Sequence, residues 1–162
     1  MPDITTSATV KATGESSVEA AGTVTISDTV EYSGVEPGLE YKITGRLMSK
    51  STGNEVTGTY SELTFTPEKA SGTLLMEYDV NSAELSGDTV VAFEKMYYRD
   101  SLIATHEDIN NKAQSVNITK PKVPENNDNG PDMGDGLNFL ILLCGVAISL
   151  VFGAIALLRR VQ

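Results

Sequence analysis

Residues 23–32 read TVTISDTVEY, an alternation that puts Val24, Ile26, Asp28, Val30 and Tyr32 on one face and Thr, Ser and Glu residues on the other. Side chains of an extended chain alternate with period two, so the stretch is predicted to be a strand with a single apolar face. Comparable runs flank it: 4–10, 39–48, 59–65, 72–80, 88–98, 101–106 and 114–119. Between them lie ATGESS, SGVEPG, KSTGNE and NSAELSGD, where Gly, Pro, Asn and Ser supply turn conformations. No long amphipathic helix is expected in the first 120 residues, and 81–87 is short enough for a turn. The pattern predicts an all-β fold, a β-sandwich of about seven to eight strands spanning residues 1–120.

The same phase turns up polar residues among the apolar ones. Ile4, Thr6, Ala8 and Val10 share a face; Glu94 falls with Val90, Ala92 and Met96; Gln114 falls with Val116 and Ile118. Thr6, Asp28, Glu94 and Gln114 are therefore predicted to point inward, unless a register slip of one residue returns some of them to water. An ionised carboxylate costs several kcal/mol to bury unless it is paired, and two acids in one apolar site tend to share a proton. Such a cluster suggests chemistry.

Composition narrows the function classes. A formal charge of -10 and a pI near 4.5 exclude the clustered Lys and Arg that nucleic-acid binding needs. The single cysteine, Cys144, lies in an apolar tail, so no disulfide braces the globular part. No cofactor or metal is expected: Glu107 and Asp108 read as turn residues leading to Asn110 and Asn111, at a spacing that fits no EF-hand-type loop. Tyr41, Phe65, Tyr78, Phe93, Tyr97 and Tyr98 read as packing residues.

The C-terminal quarter differs in kind. Residues 121–136 are rich in Pro, Asn, Asp and Gly and predict a solvated linker. Residues 137–158, LNFLILLCGVAISLVFGAIALL, hold no charge and are long enough to cross a hydrocarbon core as one transmembrane helix. Arg159 and Arg160 open the basic tail 159–162, which predicts a cytoplasmic C-terminus and an extracellular domain. The opening MPDITTSATV has no signal-peptide pattern, so the chain is expected to be the end of a longer precursor. Gly130-Pro131-Asp132-Met133-Gly134-Asp135 resembles a degenerate sortase signal of the LPxTG type, in which Pro131 and Gly134 match and the Leu and Thr do not. That resemblance implies cleavage after Met133 and attachment to cell-wall peptidoglycan; a plain membrane anchor is the alternative.

The strings SDTVEYSGVEPGLEYKITGRLM, VVAFEKMYYRD and THEDINNKAQSVNI closely resemble the VaFE-repeat domains of Gram-positive adhesins, over roughly residues 3–120. The resemblance implies an Ig-like or CnaB-like sandwich with a spontaneous intramolecular ester between a Thr of the first strand and a Gln of the last. Carried across by position, the Thr is Thr6, the Gln is Gln114, and the assisting groups are Asp28, Glu94 and His106. Thr5, on the opposite face, is the less favoured donor. It further implies a surface stalk module that is not a turnover enzyme and whose host ligand is unspecified.

The chemistry stands on general grounds. A Thr hydroxyl needs a base, and His106 is the only histidine. A carboxyl kept neutral by burial can donate to the amide oxygen and stabilise the oxyanion formed on attack. Two other classes remain: an isopeptide-forming module joining a first-strand Lys such as Lys11 to a last-strand Asn such as Asn117, and a hydrolase using Thr6 and His106, which a Gln that consumes the nucleophile disfavours. A membrane-anchored ligand-binding domain without any cross-link is a further alternative.

Overall fold

The computed structural model describes residues 1–123. It has nine strands: β1 (Asp3–Val10), β2 (Ser17–Glu19), β3 (Thr23–Ser33), β4 (Tyr41–Ser49), β5 (Ser61–Phe65), β6 (Gly72–Asn81), β7 (Thr89–Tyr98), β8 (Ser101–His106) and β9 (Ser115–Thr119). They form a three-stranded sheet in the order β1-β3-β6 and a six-stranded sheet in the order β2-β9-β7-β4-β5, with β8 also pairing with β7. Every pairing between the strands is antiparallel except β2 with β9.

The expected seven to eight strands become nine because Ser17–Glu19 pairs parallel with Asn117–Thr119. Only three residues long and set beside a turn signal, β2 has too little alternation to be recognised. The run at 59–65 starts later than expected, at Ser61. Thr59 is instead a buried tie: its hydroxyl accepts the Leu47 N–H at 3.0 Å and donates to the Val56 carbonyl at 2.8 Å. Of residues 81–87, Asn81 closes β6 and 82–87 form turns.

The core lies between the two sheets. Ile4, Ala8, Val10, Ile26, Val30, Met76 and Val80 come from the small sheet, and Ile43, Leu47, Val90, Met96, Val116 and Ile118 from the large one. At one end, Tyr32, Tyr41, Phe65 and Tyr98 stack with ring centroids 5.0–5.8 Å apart. The packing reading thus suits Tyr41, Phe65 and Tyr98. The linker beyond residue 123, Cys144, the sorting-like motif, the apolar segment and the basic tail all lie outside the described residues.

Candidate functional site

Four of the buried polar side chains, Thr6, Asp28, Glu94 and Gln114, gather in this interior, and the strands place each. In β1, Thr6 is 5% exposed while Thr5 faces solvent. Asp28 of β3 lies across from Ala8, whose small side chain leaves it room. Glu94 of β7 stands opposite Gly45 of β4 on one side and His106 of β8 on the other. Gln114 immediately precedes β9, and its carbonyl accepts the Ala92 N–H at 2.9 Å, which seats its side chain inward. Asp28, Glu94 and Gln114 are all fully buried.

The five residues proposed from sequence converge. Thr6 Oγ1 lies 3.0 Å from Glu94 Oε2, 3.2 Å from His106 Nδ1 and 3.0 Å from Gln114 Nε2. The Gln114 amide nitrogen also donates to the Ala92 carbonyl at 2.8 Å and the His106 carbonyl at 2.9 Å, with Glu94 Oε2 at 3.3 Å. Because both carbonyls only accept, they fix which end of the amide is nitrogen. The Thr6 backbone N–H points at His106 Nδ1 at 3.0 Å, and the Asn111 side-chain nitrogen stands 3.1 Å from His106 Nε2.

Apart from the facing of the two carboxyls, no hydrogen-bond partner meets either Asp28 oxygen, Glu94 Oε1 or Gln114 Oε1, all of them buried. All four are acceptors, so protons on the acids are what relieve them. Burial pushes the Glu94 carboxyl up to about 10, with the Asp28 charge and hydrogen bond adding to it and the Thr6 and Gln114 bonds opposing. Burial raises Asp28 to about 6, and its hydrogen bond with Glu94 holds it back. The pair therefore carries one shared proton at neutral pH.

Raised acid pKa values favour the neutral forms in the folded chain, so folding binds protons and stability falls as pH climbs from about 4 through Asp28's 6 towards Glu94's 10. The uncross-linked Thr6→Ala chain is expected to melt at a higher temperature at pH 5 than at pH 8. Adding Asp28→Asn should flatten that slope; an unchanged slope would place the titration elsewhere.

Some participants were not evident from sequence. Tyr78 packs here, not merely in the core: Glu94 and Asp28 lie close enough that burial and their charges push its hydroxyl well above the usual tyrosine range. Gly45 makes room for it, since a Cβ at Gly45 would collide with the Tyr78 hydroxyl. Asn111 and the Ala92 and His106 carbonyls also contribute, and backbone groups leave no mark in a sequence. Glu107 is more than a turn residue, because it pairs with Arg46 at 2.9 Å and Lys95 at 3.4 Å. Asp108 does turn the chain, accepting the Asn110 N–H at 2.9 Å.

Residues 2–118 match the family model described as "T-Q ester bond containing domain". The chain belongs to that family. No curated protein matches it. Among solved structures, this T-Q ester bond domain is similar to a bacterial adhesin from Mobiluncus mulieris containing intramolecular disulfide, isopeptide and ester bond cross-links. In one crystal form the TM-score is 0.63 at 17% identity, covering 74% of this chain and 57% of the adhesin chain; in a second the TM-score is 0.60 at 20% identity, covering 71% and 56%. The T-Q domain thus spans a little over half of that adhesin chain. It is also similar to a glycosyl hydrolase family 2 member from Bacteroides cellulosilyticus, with TM-score 0.53 at 13% identity, covering 72% of this chain and 15% of that one. At such identities the likeness concerns the fold.

Proposed function

We propose that this T-Q ester bond domain joins Thr6 to Gln114 by an autocatalytic ester and serves as an Ig-like stalk module of a surface adhesin. The observation that carries the reading is the 3.0 Å contact between Thr6 Oγ1 and the Gln114 amide in a buried site that also holds Asp28, Glu94 and His106. In the reaction, Thr6 Oγ1 bonds to the Gln114 side-chain carbonyl carbon and the bond from that carbon to Nε2 breaks. The hydroxyl proton passes through His106 Nδ1 or Glu94 Oε2, both within reach, and ends on the nitrogen, which leaves as ammonia. The proton of the Asp28–Glu94 pair is the donor available to the otherwise unpartnered Gln114 Oε1 as it becomes an oxyanion. Orientation does much of the rest, since well-aligned intramolecular reactions gain about 7–11 kcal/mol.

Position explains the use. Thr6 belongs to the small sheet and Gln114 leads into β9 of the large one, so the ester would tie the two sheets together near both ends of the β-domain. Tension applied at those ends would pass through the bond and leave the intervening strands unloaded. The apolar segment 137–158 and the basic residues after it support a membrane or cell-wall anchor on the outer surface, with sortase and peptidoglycan as partners if the motif at 130–135 is cut.

An isopeptide between Lys11 and Asn117 is not favoured: Lys11 pairs with Glu77 at 2.8 Å on an exposed face, and Asn117 faces solvent. Hydroxylamine separates the two chemistries. Treatment of the denatured chain should open the link and leave a hydroxamate at position 114; resistance to hydroxylamine would sink the ester.

A further inference from the structure

The nitrogen that this reaction expels sits among more acceptors than it can use. Ala92 O at 2.8 Å, His106 O at 2.9 Å, Thr6 Oγ1 at 3.0 Å and Glu94 Oε2 at 3.3 Å surround Gln114 Nε2, yet a primary amide has only two N–H hydrogens. The two carbonyls alone satisfy it. The remaining oxygens match a group with more hydrogens, as the nitrogen becomes once it is protonated to leave.

Charge points the same way. Asp28 and Glu94 are fully buried, and three of their four carboxyl oxygens meet no hydrogen-bond partner beyond the facing carboxyl; with one shared proton at neutral pH the pair keeps one negative charge. The other groups near it are the Tyr78 hydroxyl from β6 and His106, the register partner of Glu94 at the end of β8. The three ion pairs among the described residues, Lys11–Glu77, Arg46–Glu107 and Lys95–Glu107, all lie elsewhere. A buried carboxylate without a cation is costly, and an adjacent monovalent cation removes that cost.

We propose that the expelled nitrogen is kept as ammonium, held by the Ala92 and His106 carbonyls and Glu94 Oε2, so that the cross-linked domain is a buried site for a monovalent cation of ammonium or potassium size. The atoms balance: Nε2 leaves with its own two hydrogens and the Thr6 hydroxyl proton, and a proton from solvent supplies the fourth. Backbone carbonyls that replace a hydration shell suit potassium as well as ammonium. The inference rests on the ester reaction, since only loss of the amide frees the cradle.

The test uses the full chain in detergent with ¹⁵N in the side chains of its two glutamines, Gln114 and Gln162. After refolding and desalting, a denaturing mass reports the cross-link and a proton–nitrogen NMR spectrum reports the label. The expected result is a mass lower by one ammonia together with one slowly exchanging ¹⁵N-ammonium per chain. Potassium chloride should displace it and tetramethylammonium chloride should not. Acidification below about pH 6, where the Asp28–Glu94 pair takes its second proton, should release it. A mass lower by one ammonia with all the released label washed away, or a retained label displaced equally by both salts, overturns the site. An unchanged denaturing mass overturns the ester reading itself, and the retention with it.

Discussion

Replacing Thr6 with alanine is expected to leave a chain of full mass that melts on the order of 20–35 °C below the parent. Thr6 and Gln114 are 108 positions apart, and closing a loop of that length restricts the unfolded chain by about 4–5 kcal/mol on the disulfide analogy. For a domain of roughly this size each kcal/mol moves the midpoint by about 4–6 °C. The substitution also removes the hydroxyl bonded to Glu94, a smaller loss of about 1 kcal/mol. Two controls separate these effects. Thr6→Ser keeps a nucleophile and should restore both the mass deficit and most of the melting temperature. Thr5→Ala alters an exposed side chain on the other face and should change neither. A mass deficit that persisted in Thr6→Ala and vanished in Thr5→Ala would reverse the donor.

The second large effect concerns rate. Contact between Thr6 and Gln114 does not by itself make an ester, because an unactivated hydroxyl attacks an amide slowly. Glu94 touches both reactants through one oxygen, Oε2, and faces Asp28 across the core. Glu94→Gln keeps the shape and a hydrogen-bonding side chain but cannot hold the shared proton. The loss of one such oxyanion donor typically lowers a rate by about 100- to 1000-fold. The variant should fold yet remain uncross-linked for hours, as followed by mass after refolding and checked by a thermal melt. His106→Ala tests the base, whose removal typically slows such steps by about 100- to 10,000-fold. Here the geometry makes the comparison informative, because His106 Nδ1 already accepts the Thr6 backbone N–H. If His106→Ala cross-links at the parental rate while Glu94→Gln does not, the carboxyl pair carries the proton and the histidine holds Thr6 in place. Parental rates in both would remove these groups from the mechanism.

Much of this arrangement was legible in the sequence because strand phase is a strong signal. TVTISDTVEY put Asp28 on the face of Ile26 and Val30, and all three are fully buried. The same reasoning turned Glu94, Thr6 and Gln114 inward. Phase works here because each of these residues lies in or beside a strand with one apolar face, where a slip of one residue would expose the whole apolar set. It fails where the signal is short or carried by the backbone. β2 has three residues and takes its place from pairing with β9, a contact roughly a hundred positions away. The Ala92 and His106 carbonyls depend on register and on the seating of Gln114, which no residue type encodes. Tyr78 read as core because an aromatic on an apolar face usually is; its place beside the acids depends on Gly45 in a different sheet.

The intact mass of the purified protein under denaturing conditions tests the central claim most directly, followed by digestion and sequencing of any joined peptides. The account predicts a mass lower than the sequence by one ammonia, with the peptide containing Thr6 covalently linked to the one containing Gln114. A full mass after prolonged folding at neutral pH, or a deficit that maps to any other pair of residues, would contradict it.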